Sequence, residues 1–294
     1  MTSKFVDVVV VGSANLDLVA TVERLPRPGE TVIGTSYAEH PGGKGLNQAV
    51  AARRAGATTA LVTSLGSDAA GDLLHHVMTD EDLVPLVHES THPTGRALIE
   101  VDESAENSIV VIPGANGDLG LPEIDRHRDL LSTARVVLCQ LEIPMVAVET
   151  ALAIAKAGGA VTILNPAPAA ELTRSMLELC DVVMPNQHEI GLLGGVDELL
   201  ATGVRAVVLT LGARGLRVVT ADDRLDVPPF AVRAVDTTGA GDAACGALAA
   251  ALARGLDLPA AAREAAAAGA LAATRQGAVP SLPTRVEIEA LLGT

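Results

Sequence analysis

Short apolar runs alternate along this chain with stretches of helical spacing, and that alternation restricts the fold more than any other feature. Val6–Val11, apolar apart from Asp7, reads as a strand, and Gly45–Ala55 as a helix. Thr59–Ser64 and Ala69–Thr79 repeat the pair, as do Val136–Leu141 and Val146–Ala157. Val161–Leu164, Val182–Met184 and Val207–Leu211 have the same continuous apolar character. Strands without polar alternation are buried on both faces, so the pattern predicts an α/β fold around a mostly parallel sheet. In such sheets ligands bind beyond the carboxyl ends of the strands. Polar residues cluster there: Asn15 after the first strand, Glu142 after Leu141, Asn186 after Met184 and Gly212 after Leu211.

Two segments break the alternation. Thr31–Glu39 and Arg96–Ile112 look β-like but carry polar residues. Arg96–Val101 and Asn107–Ile112 flank an acidic turn, Asp102 to Glu106, and predict a hairpin. With 294 residues, 49% of them hydrophobic, the chain supports one large core plus a small appendage. Aromatics are 1%, so Ala, Val and Leu must fill that core. The net charge of -15 argues against nucleic acid or an anionic membrane as partner. No apolar run reaches the roughly 20 residues of a membrane span. Phe5–Val11 is too short for a secretory signal and contains Asp7. Cys139, Cys180 and Cys245 form no CxxC and read as reduced thiols of a cytoplasmic protein. Cys245, close to Asp242, leaves a reactive thiol open as a reading.

The chemistry concentrates in Asp236-Thr237-Thr238-Gly239-Ala240-Gly241-Asp242, followed by an Ala-rich helical pattern. Small residues opening a helix present unpaired N–H groups and a partial positive charge, which suits phosphate oxygens. Asp242 sets a carboxylate beside that anion site. A base beside an anion hole is what phosphoryl transfer to a hydroxyl requires. Taken locally, Asp242 is also a helix-capping residue. Further motifs are Gly12-Ser13-Ala14-Asn15-Leu16-Asp17, Gly42-Gly43-Lys44-Gly45-Leu46-Asn47-Gln48 and Gln140-Leu141-Glu142. Asn165-Pro166-Ala167-Pro168-Ala169, Pro185-Asn186-Gln187-His188-Glu189 and Thr210-Leu211-Gly212-Ala213-Arg214-Gly215 follow in order. As an ordered set these resemble the PfkB, or ribokinase-like, carbohydrate kinase family.

The resemblance implies a ribokinase-like three-layer αβα sandwich, one domain over residues 1–294, with β lid segments at about 15–41 and 94–112. It implies transfer from ATP to a sugar: D-ribose at O5, or else 2-deoxyribose, fructose or a nucleoside. Asp242 would be the general base and Gly239, Ala240 and Gly241 the anion hole. Asn15, Asp17, Gly43, Lys44, Asn47 and Glu142 would bind the sugar. Asn186, Thr210, Gly212, Gly215 and Gly241 would serve the nucleotide, and Glu189 would reach Mg²⁺ through water. Asp236 and Thr238, with Ala272, Arg275, Gly277 and Ser281, would hold K⁺. The lid implies a homodimer. Local readings stand beside these. Asn15 and Asp17 suit a turn, Lys44 a solvated helix start, and Glu142 a cap for the Pro144 helix. Asn186 and Glu189 have capping-box spacing, and Asp236 suits loop amides. Ala265–Ala268 stand where the family often places larger residues at the adenine, and Arg96 sits where a lid strand is usually apolar. A catalytically silent sugar-binding regulator is the rival from another class.

Three matches mislead. His88-Glu89-Ser90-Thr91-His92 fits HExxH but meets Pro93 and Gly95 before two helical turns can form. Gly239-x-Gly241-x-x-Ala244 lacks the strand that a dinucleotide fingerprint follows. Gly43-Lys44 lacks both the first Gly and the Ser/Thr of a Walker A loop.

Overall fold

The computed structural model describes residues 6–102, 104 and 106–293. Phe5, and residues 103 and 105 of the expected acidic turn, lie outside them. The strands are β1 (Val8–Val11), β2 (Asn15–Val22), β3 (Gly34–Gly42), β4 (Thr59–Gly66), β5 (Val84–Ser90), β6 (Gly95–Val101) and β7 (Asn107–Ile112). They continue as β8 (Val136–Cys139), β9 (Val161–Leu164), β10 (Val182–Val183), β11 (Ala206–Thr210), β12 (Leu216–Thr220) and β13 (Arg224–Val227). One sheet has the order β13-β12-β11-β10-β9-β8-β1-β4-β5 and the other β3-β2-β6-β7.

From β11 to β5 every pairing in the large sheet is parallel. The four valines of β1 show why: all are fully buried. Val8 and Val10 face a core shared with helices α1 (Lys44–Arg54), α2 (Ala69–Asp80) and later helices of the same layer. Val9 and Val11 face a second core with α3 (Leu121–Asp125), α4 (Arg128–Thr133), α5 (Met145–Gly158) and α6 (Arg174–Glu178). Alternate side chains of one strand thus anchor both helix layers. The remaining helices are α7 (Gln187–Leu192), α8 (Val196–Ala201), α9 (Ala240–Ala253), α10 (Leu258–Ala272) and α11 (Arg285–Leu292). The result is the ribokinase-like αβα sandwich.

The edge strands β12 and β13, antiparallel to their neighbours, were not foreseen. They are short and mixed in polarity, and Arg217 on β12 pairs with Asp226 on β13 at 2.6 Å. Charges of this kind keep an open edge from recruiting other strands. In the small sheet β2 starts at Asn15 itself, so Asn15 and Asp17 lie on a strand and not in a turn.

Because β4 and β8 flank β1, the chain reverses its direction of winding there. The crevice beyond the β1 and β8 ends is a topological switch point. Above it, α1 and α9 pack closely through small residues. A Cβ on Gly246 would lie 2.5 Å from Ala51 Cβ and 2.6 Å from the Gln48 carbonyl oxygen. Gly246→Val should therefore force the helices apart and destabilise the protein by about 1–3 kcal/mol. Thermal unfolding measures this, and an unchanged Tm would show that the close approach carries no weight.

Candidate active site

At the start of α9 Gly239 takes a left-handed conformation, φ 74°, and turns the chain into the helix. The Ala240 N–H donates to Thr237 O at 3.2 Å and the Ala243 N–H to Gly239 O at 2.8 Å. Among the described residues no protein acceptor faces the Gly241 or Asp242 N–H. Among the described residues the Gly239 N–H has no protein acceptor either, so of the expected Gly239, Ala240 and Gly241 donors only that of Ala240 is occupied, and the Asp242 amide joins the open ones. Asp242 is 7% exposed. Its Oδ2 accepts from Asn47 Nδ2 at 3.0 Å and its Oδ1 from Gln48 Nε2 at 2.9 Å. Lys44, Asn47 and Gln48 are spaced i, i+3, i+4, so one face of α1 meets the carboxylate.

A cavity of about 210 Å³ opens here. Lys44, Asn186, Glu189, Thr210, Gly239, Gly241 and Asp242 line it, together with Asn165, Ala167, Met184, Thr237 and Cys245. Lys44 is half-buried, not a solvated helix start. Burial alone would lower the pKa of its ammonium, but Asp242, Glu142 and Glu189 outweigh that and hold it raised. Asn186 and Glu189 do form a capping box. The Asn186 side chain accepts from the His188 and Glu189 amides, and Glu189 Oε2 accepts from Asn186 N at 2.8 Å. Yet Glu189 also lines the cavity, where burial raises its pKa.

The sugar-side candidates meet along the end of β1. Glu142 does not cap the Pro144 helix; its Oε2 accepts from Ser13 Oγ at 2.6 Å and from the Lys44 N–H at 3.1 Å. Gly43 has φ 88°, and a Cβ there would sit 2.8 Å from Asn15 N, so only glycine fits. Asn15 Oδ1 accepts from Asn116 Nδ2 at 2.7 Å, and Asn116 also clasps both backbone groups of Ala14. The Asp17 pKa is pushed up to about 7, by burial first and then by the Glu142 and Asp242 charges. Arg96 faces Asp68, with Nη2 3.7 Å from Oδ2.

Other candidates stand apart from the cavity. Gly212 and Gly215 shape the β11–β12 turn; a Cβ on Gly215 would lie 2.2 Å from Val227 O. Asp236 Oδ1 accepts from Thr238 N and Oδ2 from Gly277 N, at 2.9 and 2.8 Å. These amides outweigh its burial and lower its pKa. The Asp236 amide donates to Ala273 O and the Arg275 amide to Ala272 O, while Ser281 Oγ donates to Ala278 O. The two loops are thus stitched together. Burial drives the Cys245 thiol far up, so it stays protonated and the reactive-thiol reading falls. His88 lies on β5 and His92 beyond its end, where His92 meets Asp118; no helix presents the pair. Ser13, Gln48, Asn116 and Asn165 were missed as site residues. Gln48 and Asn165 stood inside quoted motifs, but nothing in sequence spacing says that Gln48 touches Asp242 or that Asn165 touches Gln48.

The sequence model of pfkB family carbohydrate kinases matches residues 6–285. A bifunctional ribokinase/ribose-5-phosphate isomerase A of Fructilactobacillus sanfranciscensis is 40% identical over 96% of this chain, which spans only 55% of that protein. The ribokinase of Haemophilus influenzae is 39% identical, with 95% of each chain covered. The structure of Arabidopsis thaliana ribokinase complexed with ribose and ATP superposes with a TM-score of 0.90 at 31% identity, covering 98% of this chain and 99% of that one. The chain belongs to the pfkB family of carbohydrate kinases and is an ATP-dependent sugar kinase.

Asp17 carries a sign that can be read. Its pKa is higher in the folded protein, so the stability it contributes is full below about pH 4 and is lost as pH rises through about 7. Asp17→Asn should remove that loss. The Tm of the variant should exceed that of the wild type by a margin that widens from pH 5 to pH 8, the underlying difference in unfolding free energy having a ceiling of ~4 kcal/mol. A margin independent of pH would contradict the burial argument.

Proposed function

We propose that this kinase phosphorylates D-ribose at O5, giving ribose 5-phosphate. The observation that carries the reading is the Asp242 carboxylate, set in a cavity at the start of α9 beside the amides of Gly239, Gly241 and Asp242, which have no protein acceptors among the described residues. Kinship with ribokinases supports the choice of sugar. Asn15, Asp17, Gly43, Lys44, Asn47 and Glu142 hold the sugar hydroxyls. Asp242 takes the O5 proton, the new O–P bond forms, and the bond to the β-phosphate oxygen breaks, so that ADP carries the electrons away. The amides of Gly241 and Asp242, with Gly239 and Ala240 at the turn, steady the oxygens of the moving phosphoryl group. Lys44 adds positive charge from α1. Asn186 and Thr210 lie along the nucleotide, with Gly212 and Gly215 shaping the turn beneath it.

Glu189 and Asn186 suit Mg²⁺ held through water. Among the described residues no three His, Cys, Asp or Glu side chains converge as metal ligands, and both Glu189 oxygens already accept from Asn186. When bound with ATP, Mg²⁺ would neutralise phosphate charge. The anionic Asp236 and the stitched loop carrying Thr238, Ala272, Arg275, Gly277 and Ser281 suit K⁺, which would order the start of α9. The small sheet serves as a lid on a single kinase unit. It leaves Tyr37, Leu98, Ile109, Val110, Val111 and Ile112 exposed, which fits pairing of two lids in a homodimer. Free, buried cysteines fit a reducing cytoplasm. No described helix is long and apolar enough to cross a membrane.

The test is ADP release with Mg–ATP and a panel of ribose, 2-deoxyribose, fructose and nucleosides, with the product assigned by phosphorus NMR. Ribose should give the highest kcat/KM, and K⁺ should raise turnover over Na⁺. A better acceptor than ribose would overturn the sugar assignment. Equal rates in the two salts would remove Asp236 from the cation role.

A further inference from the structure

Behind Asp242 lies a row of buried carboxamides that the reaction above does not use. Gln48 on α1 and Gln140 after β8 are fully buried, and Asn165 after β9 nearly so. Gln48 Nε2 donates to Asp242 Oδ1 at 2.9 Å and to Asn165 Oδ1 at 3.0 Å. Gln140 Nε2 donates to Gln48 Oε1 at 2.6 Å. Asn165 Nδ2 donates to Met184 O at 2.9 Å.

The direction of the row follows from one charge. An ionised carboxylate only accepts, so Gln48 must turn its NH₂ toward Asp242. That aims Gln48 Oε1 at Gln140, which must then present its own NH₂. Two buried amide oxygens in this group are left without partners: Gln140 Oε1 and Asn47 Oδ1. Networks that serve stability alone satisfy their members. This one leaves acceptors unmatched and concentrates donors on a single carboxylate. Asn47 holds one carboxylate oxygen and Gln48 the other. A single bond would let the group pivot about Cβ–Cγ; one bond on each oxygen fixes its plane.

We propose that Gln48 is a positioning residue for phosphoryl transfer. It aims the Asp242 carboxylate and, through Asn165, ties it to the Met184 strand end that leads into Asn186 and Glu189. The inference rests on Asp242 being the base. Gln48→Met keeps the approximate volume but removes the donors. Its kcat should fall about 10- to 100-fold, because a small misplacement of a reacting group costs that much, while both KM values stay within about threefold. Gln48→Glu still accepts from Gln140 but sets a second carboxyl against Asp242. Such a pair shares a proton, so the folded pKa of the new group rises above its unfolded value. Stability of that variant is then full at low pH and lost as pH rises. Its Tm deficit against the wild type should widen from pH 5 to pH 8, and its relative turnover should recover on acidification. A residue that only fills space would give neither effect.

Full-length proteins are compared by steady-state kinetics and thermal melts. Wild-type kcat in Gln48→Met, or a pH-independent deficit in Gln48→Glu, would overturn the proposal. Should Gln48→Met give no cooperative melt, Gln140→Met replaces it, with the same split between kcat and KM expected and wild-type kcat again overturning the role. A wild type that leaves ribose untouched would sink the sugar assignment alone, since the melts of Gln48→Glu still read the contact with Asp242.

Discussion

A buried carboxylate needs compensation, and the compensation of Asp242 organises this molecule. An isolated charge in a protein interior is expensive unless donors and counter-charges surround it. Here the start of α9 contributes its dipole, typically about 0.3–1 kcal/mol near a helix end. Asn47 and Gln48 contribute one donor to each oxygen. Lys44 brings a cation whose proton the neighbouring carboxylates hold in place. All three come from one face of α1, so the contact between α1 and α9 is electrostatic design as much as packing. Gly246 lets the helices come close enough for it. The unmatched oxygens of Asn47 and Gln140 cost about 1–3 kcal/mol each, a stability sacrificed beside the proposed base.

Topology decides why these groups meet at all. β1 lies between β4 and β8, so the loops after β1 and β8 diverge around a crevice. Ser13 leaves one strand and Glu142 follows the other, and they join by a hydrogen bond that also receives the first amide of α1. The small sheet leaves the same strand end, because β2 begins at Asn15. The residues proposed to face the sugar and the start of the helix that carries Lys44 are therefore built from a single junction.

Much of this was legible in the sequence, for a physical reason in each case. Continuous runs such as Val8–Val11 leave no polar face, so a doubly covered parallel sheet was the only economical reading. The stretch Gly239–Asp242 announced a helix start with a carboxylate. The edge strands β12 and β13 were not legible, since four or five residues of mixed polarity carry no period. Nor was the occupation of the Ala240 amide, which the turn at Gly239 directs to Thr237 O. Gln48, Asn116 and Asn165 escaped notice because their partners are 194, 102 and 117 residues away along the chain. Spacing reports neighbours on one element; it says nothing of contacts made across the sheet.

The central claim is that the negative charge of Asp242, not merely its bulk, makes the acceptor hydroxyl reactive. The isosteric, uncharged Asp242→Asn variant isolates that charge. Ribose binding by calorimetry and single-turnover phosphoryl transfer from Mg–ATP should be measured on the same protein. The account predicts binding within a few-fold of the wild type and transfer slower by roughly 10² or more. Transfer at the wild-type rate with intact binding would contradict it.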